Sequence, residues 1–385
     1  MNGTSVYLDH NASAPLLPEA GDAVRAALTM TGNPSSVHAA GRAVRAAIDT
    51  ARGAVAGAAG AMRRDVVFTG SATEALTQAI IGGARAFAAA EIVVGATEHA
   101  AVLRAAEATE LPVTRIGVDD QGRWRHDEIE AALARLDVAG GLALFALNYV
   151  NNETGVVQDL AAIEALVGPT RHVLVVDAVQ AFGKLDLGFA GRASDMMAIS
   201  AHKIGGPAGI GALLMKPHCD DVRLIPGGGQ ETGRRGGTEA LLPIAGFGAA
   251  ANAFAAAYRA AGVKALRDRI EVEIRALTDD VVVFGAAAER MGNVTSFAVP
   301  GLAASVAMMA LDLDGIAISS GSACSSGKVG RSHVLAAMGV RPELAEGALR
   351  VSLGWNTLET DIDAFVAAFA KVLKRRQTKN KEAAA

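Results

Sequence analysis

The sequence is poor in the residues that hold small secreted or metal-bound proteins together. Its 385 residues include only two cysteines, Cys219 and Cys324. Two thiols can build neither a disulfide framework nor a cysteine-rich metal site. Aromatic residues make up 4% of the chain, and the formal net charge is −4. That balance gives no basic footprint for nucleic acid. Long uncharged apolar runs are scarce too. Residues 240–258 and 291–311 come nearest to the roughly 20 residues that cross a bilayer. Pro243 and Gly246 interrupt the first, while Gly292, Asn293 and Pro300 interrupt the second. Met1 to His10 lack the basic and apolar regions of a secretory leader. The expectation is a soluble cytoplasmic protein with no nucleic-acid or membrane role, its thiols kept reduced. The basic run Lys371 to Lys381 reads as the solvated end of a helix.

What is present is a hydrophobic share of 51%, enough for a large core, and a clear rhythm. A helix pattern covers 18–30. The breaker-rich Gly32 to His38 follows, with Ser35 or Ser36 as the cap of a helix reaching Ala61. From Asp65 short apolar runs alternate with longer amphipathic ones. Strands are predicted over 65–69, 91–95, 112–118, 141–148, 172–177, 195–200 and 210–215. Helices fill most of the gaps, which predicts an α/β protein with a mostly parallel seven-stranded sheet covered on both faces. The last two strands lie too close for a crossover helix, so one pair should be antiparallel. A glycine-rich stretch, 227–238, precedes an alanine-rich helix over 241–261. The remainder suits a smaller α+β domain. The boundaries read as a large domain over 15–260 and a small one from 1–14 plus 261–385.

Ligands of an open parallel sheet sit beyond the C-terminal strand ends. After the first strand come Ser71, Ala72 and Thr73 at a helix start, where free N–H groups and hydroxyls suit an anion. After the second come Glu98 and His99, and after the fourth Asn151, Asn152 and Glu153. The fifth ends at Asp177, with Gln180 just beyond. The sixth ends at Ser200, His202 and Lys203. Each group alone reads as an ordinary cap or turn. Together, five polar strand ends facing one crevice suit an aldehyde cofactor with a phosphate and a pyridine ring. Lys203 supplies the amine for an imine, and Asp177 the carboxylate that keeps the ring nitrogen protonated. Ala72 and Thr73 open the phosphate cradle, with Ser200 and His202 adding contacts. His99 would stack on the ring, while Asn152 and Gln180 would hydrogen-bond its oxygen. The economical cofactor is pyridoxal 5'-phosphate.

Ordered motifs extend this reading. They include Tyr7-Leu-Asp-His-Asn-Ala12, Asn33-Pro-Ser-Ser-Val-His38, Phe68-Thr-Gly-Ser-Ala-Thr-Glu74 and Asn151-Asn-Glu-Thr-Gly155. Further on come Asp177-Ala-Val-Gln180, Ser200-Ala-His-Lys203, Arg235-Gly-Gly-Thr238, Ser319-Ser-Gly-Ser-Ala-Cys324 and Arg350-Val-Ser-Leu-Gly354. Over nearly its whole length the chain resembles the cysteine desulfurases of the nitrogen-fixation and iron–sulfur-cluster type, within the class V aminotransferases. The resemblance implies the type I fold of pyridoxal-phosphate-dependent transferases. It also implies a homodimer in which Thr238 reaches the neighbouring subunit's phosphate. Arg350, assisted by Asn33, would clamp the substrate carboxylate. Trp355 stands where the family often has an arginine.

The two thiols differ in setting. Cys219 sits beside Asp220 and Asp221, which disfavour a thiolate, and reads as structural. Cys324 lies among small polar residues, Ser319 to Lys328, where a thiolate is accessible. By the resemblance, L-cysteine is the substrate, Lys203 moves its α-proton, and His99 supplies a proton. Cys324 then receives the sulfur as a persulfide, which passes to an acceptor protein such as an iron–sulfur scaffold, leaving L-alanine. A selenocysteine lyase, or another class V aminotransferase or lyase, is the neighbouring alternative.

Overall fold

The computed structural model describes residues 5–321 and 331–384, with backbone alone for 377–384. In chain order the strands begin with β1 (Val6–Tyr7), β2 (Val66–Thr69), β3 (Glu91–Gly95) and β4 (Val113–Ile116). Then come β5 (Ala143–Asn148), β6 (Val173–Asp177), β7 (Met196–Ser200) and β8 (Gly211–Met215). The C-terminal part adds β9 (Val282–Val283), β10 (Val294–Ala298), β11 (Ile316–Ala317), β12 (Ser319–Ser320) and β13 (Leu349–Ser352).

The seven predicted strands form one sheet in the order β2-β8-β7-β6-β5-β3-β4. Side chains alternate across it with the period of two that a pleated strand imposes. Phe145, Leu147, Leu174, Val176, Met197 and Ile199 enter one apolar cluster. Their neighbours Leu144, Ala146, Val173, Val175, Met196 and Ala198 enter another on the opposite face. Both faces are therefore dry, as the near-continuous apolar runs require. One expectation is corrected. β8 runs antiparallel to β7 and also to β2, so there are two antiparallel pairs. Reversing β8 leaves β2 parallel to the other five strands, and all six carboxyl ends share one edge.

The cap of the second helix is also corrected. Ser35 and Ser36 belong to a turn closed by Ser36 N–H on the Asn33 carbonyl. His38 caps the helix Ala39–Ala59, its Nδ1 accepting from Gly41 N–H at 3.2 Å. The helix Leu241–Ala260 is long and apolar enough, by length and composition, to cross a bilayer. Here it packs against the helices Pro18–Ala27 and Ala39–Ala59. A Cβ on its Gly248 would lie 2.6 Å from Ala51 Cα, so glycine permits the close approach.

A second sheet, β12-β13-β10-β9, and the pair β1-β11 carry the C-terminal part. Its apolar cluster joins Leu8 to residues between Val263 and Leu373. The N-terminal segment then runs from β1 to the edge of the large sheet, where Ala14 N–H donates to the His202 carbonyl.

Candidate active site

The carboxyl ends of β2, β3, β5, β6 and β7 surround a cavity of about 330 Å³. Lys203 enters it from a 3₁₀ turn, Ala201–Lys203, that follows β7 directly. Ala201 and Ile204 are buried on either side and fix that turn in the core. Lys203 Nζ donates to the carbonyls of Asn11 (2.6 Å) and Ala12 (2.8 Å). The N-terminal segment thus holds the amine at the mouth of the cavity.

Asp177 ends β6, and its Oδ1 accepts from Val179 N–H at 3.0 Å. Burial raises its carboxyl above the usual range, while the Val179 N–H, His99 and Lys203 pull it back. A buried carboxylate of this kind favours a cationic partner at the cavity wall. His99 caps the helix Ala100–Glu107, its Nδ1 accepting from Ala101 N–H at 3.1 Å. Burial lowers its pKa, aided by Lys203 and His333 and opposed by Asp177, so the ring is neutral near pH 7. With Nδ1 accepting, the hydrogen-bond pattern assigns the proton to Nε2. Gln180 is held at both ends: its Nε2 donates to the Asn11 carbonyl, and its Oε1 accepts from Lys184 Nζ, each at 3.0 Å.

The opposite wall is an anion cradle. Ser71 caps the helix that begins at Ala72, its Oγ accepting from Glu74 N–H at 3.1 Å. Glu74 closes the turn by accepting from Gly70 N–H and pairs with Arg235 Nε at 2.7 Å. A Cβ on Gly211 would lie 2.7 Å from Ala72 N, so glycine lets β8 pass directly beneath the helix start. The helix continues through a π-helical turn, Gln78–Gly82, a distortion frequent near functional sites. Ser200 and His202 complete this side. Burial, with Lys203 beside it, lowers the His202 pKa to about 4, which makes it a neutral donor or acceptor.

Arg350 comes from β13 of the second sheet and is 1% exposed. Its Nη2 donates to Asp9 Oδ1 (2.8 Å), and its Nη1 to the Asn152 carbonyl (3.1 Å). Its buried Nε has no partner among the described residues. A carboxylate entering the cavity would meet a guanidinium already aimed by two fixed acceptors.

Ala72, Thr73, His99, Asn152, Asp177, Gln180, Ser200, His202, Lys203 and Arg350 therefore line one cavity. Thr238 and Asn33 do not line it. Both are exposed, and Asn33 Oδ1 accepts from Ser35 N–H at 2.8 Å. Asn33 is therefore not placed to assist Arg350 within this chain. Cys324 lies outside the described residues. Asp9 and Asn11 were not singled out from sequence, although they fix Arg350, Lys203 and Gln180. Their signal was a short polar run ending at Pro15, with nothing nearby to show what it meets. Trp355, the departure at the rim, donates from Nε1 to the Pro15 carbonyl and so secures the same segment.

The residues present fit pyridoxal phosphate. An amine, a buried carboxylate, a neutral imidazole and a glycine-floored N–H cradle face one another across a single cavity. Cys219 is elsewhere: it is fully buried, and burial beside Asp195 and Asp220 pushes its thiol up to about 12. Iodoacetamide at pH 8 is therefore expected to leave Cys219 unlabelled in the folded protein and to label it after unfolding. Peptide mapping checks this, and labelling in the folded state would overturn it.

The chain matches the family model described as aminotransferase class-V over residues 6–365. A cysteine desulfurase of Cereibacter sphaeroides is 39% identical over 375 residues, which span 96% of this chain and 95% of the relative. The solved NifS-like protein from Rickettsia africae superposes with a TM-score of 0.87 at 30% identity, covering 96% of this chain and 99% of that one. SspA, solved in complex with cysteine, gives 0.79 at 28% identity, over 92% of this chain and all of the other.

Proposed function

Because the chain belongs to the aminotransferase class-V family, we propose its reaction from the site that this fold presents. It is a cysteine desulfurase that takes sulfur from L-cysteine and leaves L-alanine. The observation that carries this is the single cavity where Lys203, Asp177, His99 and Arg350 meet an anion cradle.

Pyridoxal phosphate, when bound, supplies an aldehyde carbon for amines and a protonated ring that accepts an electron pair. The protein does the rest. Lys203 would hold the aldehyde at rest and, once displaced by the substrate amine, take the α-proton as general base. Asp177 would hold the ring nitrogen and stabilise its proton. The Ala72 and Thr73 amides would hold the phosphate, with Ser200 and His202. Arg350 would take the substrate carboxylate in a bidentate pair, positioned by Asp9 and Asn152. His99, neutral with its proton on Nε2, is placed to donate.

Cys324 is our assignment for the sulfur acceptor. Its thiolate attacks the substrate sulfur, and an S–S bond forms as the C–S bond breaks. The electron pair stays on the carbon, which is protonated to alanine. The persulfide then passes by thiol exchange to an acceptor such as an iron–sulfur scaffold protein. Thr238, exposed and outside its own cavity, suits a homodimer in which it completes the neighbouring site. Replacing Cys324 by serine is expected to cut sulfide release at least 100-fold, while the cofactor's absorbance change on adding L-cysteine persists. Unchanged sulfide release would refute the assignment. Comparing L-selenocysteine with L-cysteine in the wild type, by alanine formed, tests substrate choice.

A further inference from the structure

We propose that Glu153 is a positioning residue for sulfur transfer, the post that holds the returning end of the segment carrying Cys324. The inference rests on the assignment of Cys324 above. Glu153 is buried in the connection that follows β5, yet it does not line the cavity. Its turn is tightly made. Asn151 Oδ1 accepts from the N–H groups of Glu153 and Thr154, both at 3.0 Å, and Gly155 N–H closes on the Asn151 carbonyl at 3.0 Å.

The returning end of another part of the chain meets this carboxyl. Ser332 Oγ donates to Glu153 Oε2 at 2.5 Å. The same hydroxyl caps the helix His333–Ala337, accepting from Leu335 N–H at 3.1 Å. On the outgoing side, Gly321 N–H donates to the Ala348 carbonyl at 3.0 Å. A Cβ built on Gly321 would lie 3.8 Å from Glu153 Oε2. The carboxyl therefore ties the residue where the segment returns, while the residue where it leaves is tied to Ala348. A second tie joins the returning end to the site, since a His333 ring nitrogen hydrogen-bonds the Glu98 carbonyl at 2.8 Å.

Chain length gives this arrangement its consequence. Cys324 is three residues beyond Gly321, so it can travel at most about 10 Å from that anchor. Gly321, tied to Ala348, and Ser332, tied to Glu153, are the described residues that anchor the two sides of its chain. The same turn also sets the substrate, because the Asn152 carbonyl accepts from Arg350 Nη1. One short connection thus references both the substrate's carboxylate and the thiol's chain to the large sheet. Burial pushes the Glu153 carboxyl up to about 7. A carboxyl so costly to ionise, placed away from the cofactor, calls for a role of this kind.

The test is Glu153→Ala, Glu153→Gln and Ser332→Ala in the holoenzyme. Each is measured for sulfide release, for KM of L-cysteine, and for exchange of the L-alanine α-proton with solvent deuterium. That exchange needs Lys203 but no thiol. Glu153→Ala and Ser332→Ala are expected to lower kcat for sulfide release about 10-fold, with KM and α-proton exchange within about 2-fold. Glu153→Gln keeps an acceptor for Ser332 and should restore most of the rate. The double variant Glu153→Ala/Ser332→Ala should be no slower than either single one. Equal loss of exchange and sulfide release, or no loss of either, would overturn the proposal. Cys324→Ser, run alongside, separates the two failures. If it still releases sulfide, the assignment of Cys324 falls, whatever Glu153 does.

Discussion

Lys203→Ala is expected to lower cysteine desulfuration at least about 10⁴-fold, because one substitution removes both the amine proposed to hold the aldehyde and the proposed general base. The lysine's geometry makes the effect specific. Nζ is held by two carbonyls of a distant segment, Asn11 and Ala12, and the turn beneath it is anchored by buried Ala201 and Ile204. Removing the side chain should leave the fold intact while the chemistry stops. Asp177→Asn is the graded companion. An amide cannot stabilise a protonated ring nitrogen as a carboxylate does, and the rate should fall about 10²- to 10³-fold. Alanine formation from L-cysteine, measured with saturating pyridoxal phosphate, checks both. A Lys203→Ala protein that kept a tenth of the wild-type rate would remove Lys203 from the mechanism.

Glu231→Ala is expected to give the largest loss of stability, about 3–5 kcal/mol, by leaving a buried charge uncompensated. Glu231 and Arg52 form a two-pronged pair, with both N···O distances at 2.7 Å, and Glu231 Oε2 also accepts from Phe68 N–H at 3.0 Å. The glutamate side chain is 2% exposed and the arginine side chain 14%. Glu231 adopts a left-handed backbone (φ 48°), a strain that the pairing offsets. The pair fastens the glycine-rich stretch to the helix Ala39–Ala59 and to β2, at the base of the cradle. Arg52→Ala should cost a similar amount, and the double variant less than the sum of the two. Urea unfolding with an unchanged slope provides the measurement. A shift below about 1 kcal/mol for Glu231→Ala would contradict it.

The sheet and the lysine side of the site were legible because both follow from local rules. Runs such as Val173 to Val176 are apolar at every position, which a strand buried on both faces requires. Polar residues gather after such runs because a parallel sheet exposes its carboxyl edge. Ser71, His99, Asn152, Asp177 and Lys203 each sit at or just past the end of a strand, so sequence position alone placed them together. The antiparallel strand was legible as a short loop between two apolar runs. Its second partner, β2, was not, since a pairing such as Thr69 with Gly211, far apart in the chain, leaves no local mark.

The sequence by itself determined the strands, the serine-capped helix start after β2, the lysine and the carboxylate at two strand ends, and the contrast between a thiol beside two acids and a thiol among serines. These depend on side-chain type and spacing over a few residues. Only the tertiary structure decided how the parts are held in register. Asp9 aims Arg350, Asn11 holds Lys203 and Gln180, and Glu153 accepts from Ser332. Each of these contacts joins segments more than 160 residues apart. At that separation the chain's own geometry no longer constrains which groups meet, and the packing of two sheets against one N-terminal segment settles it.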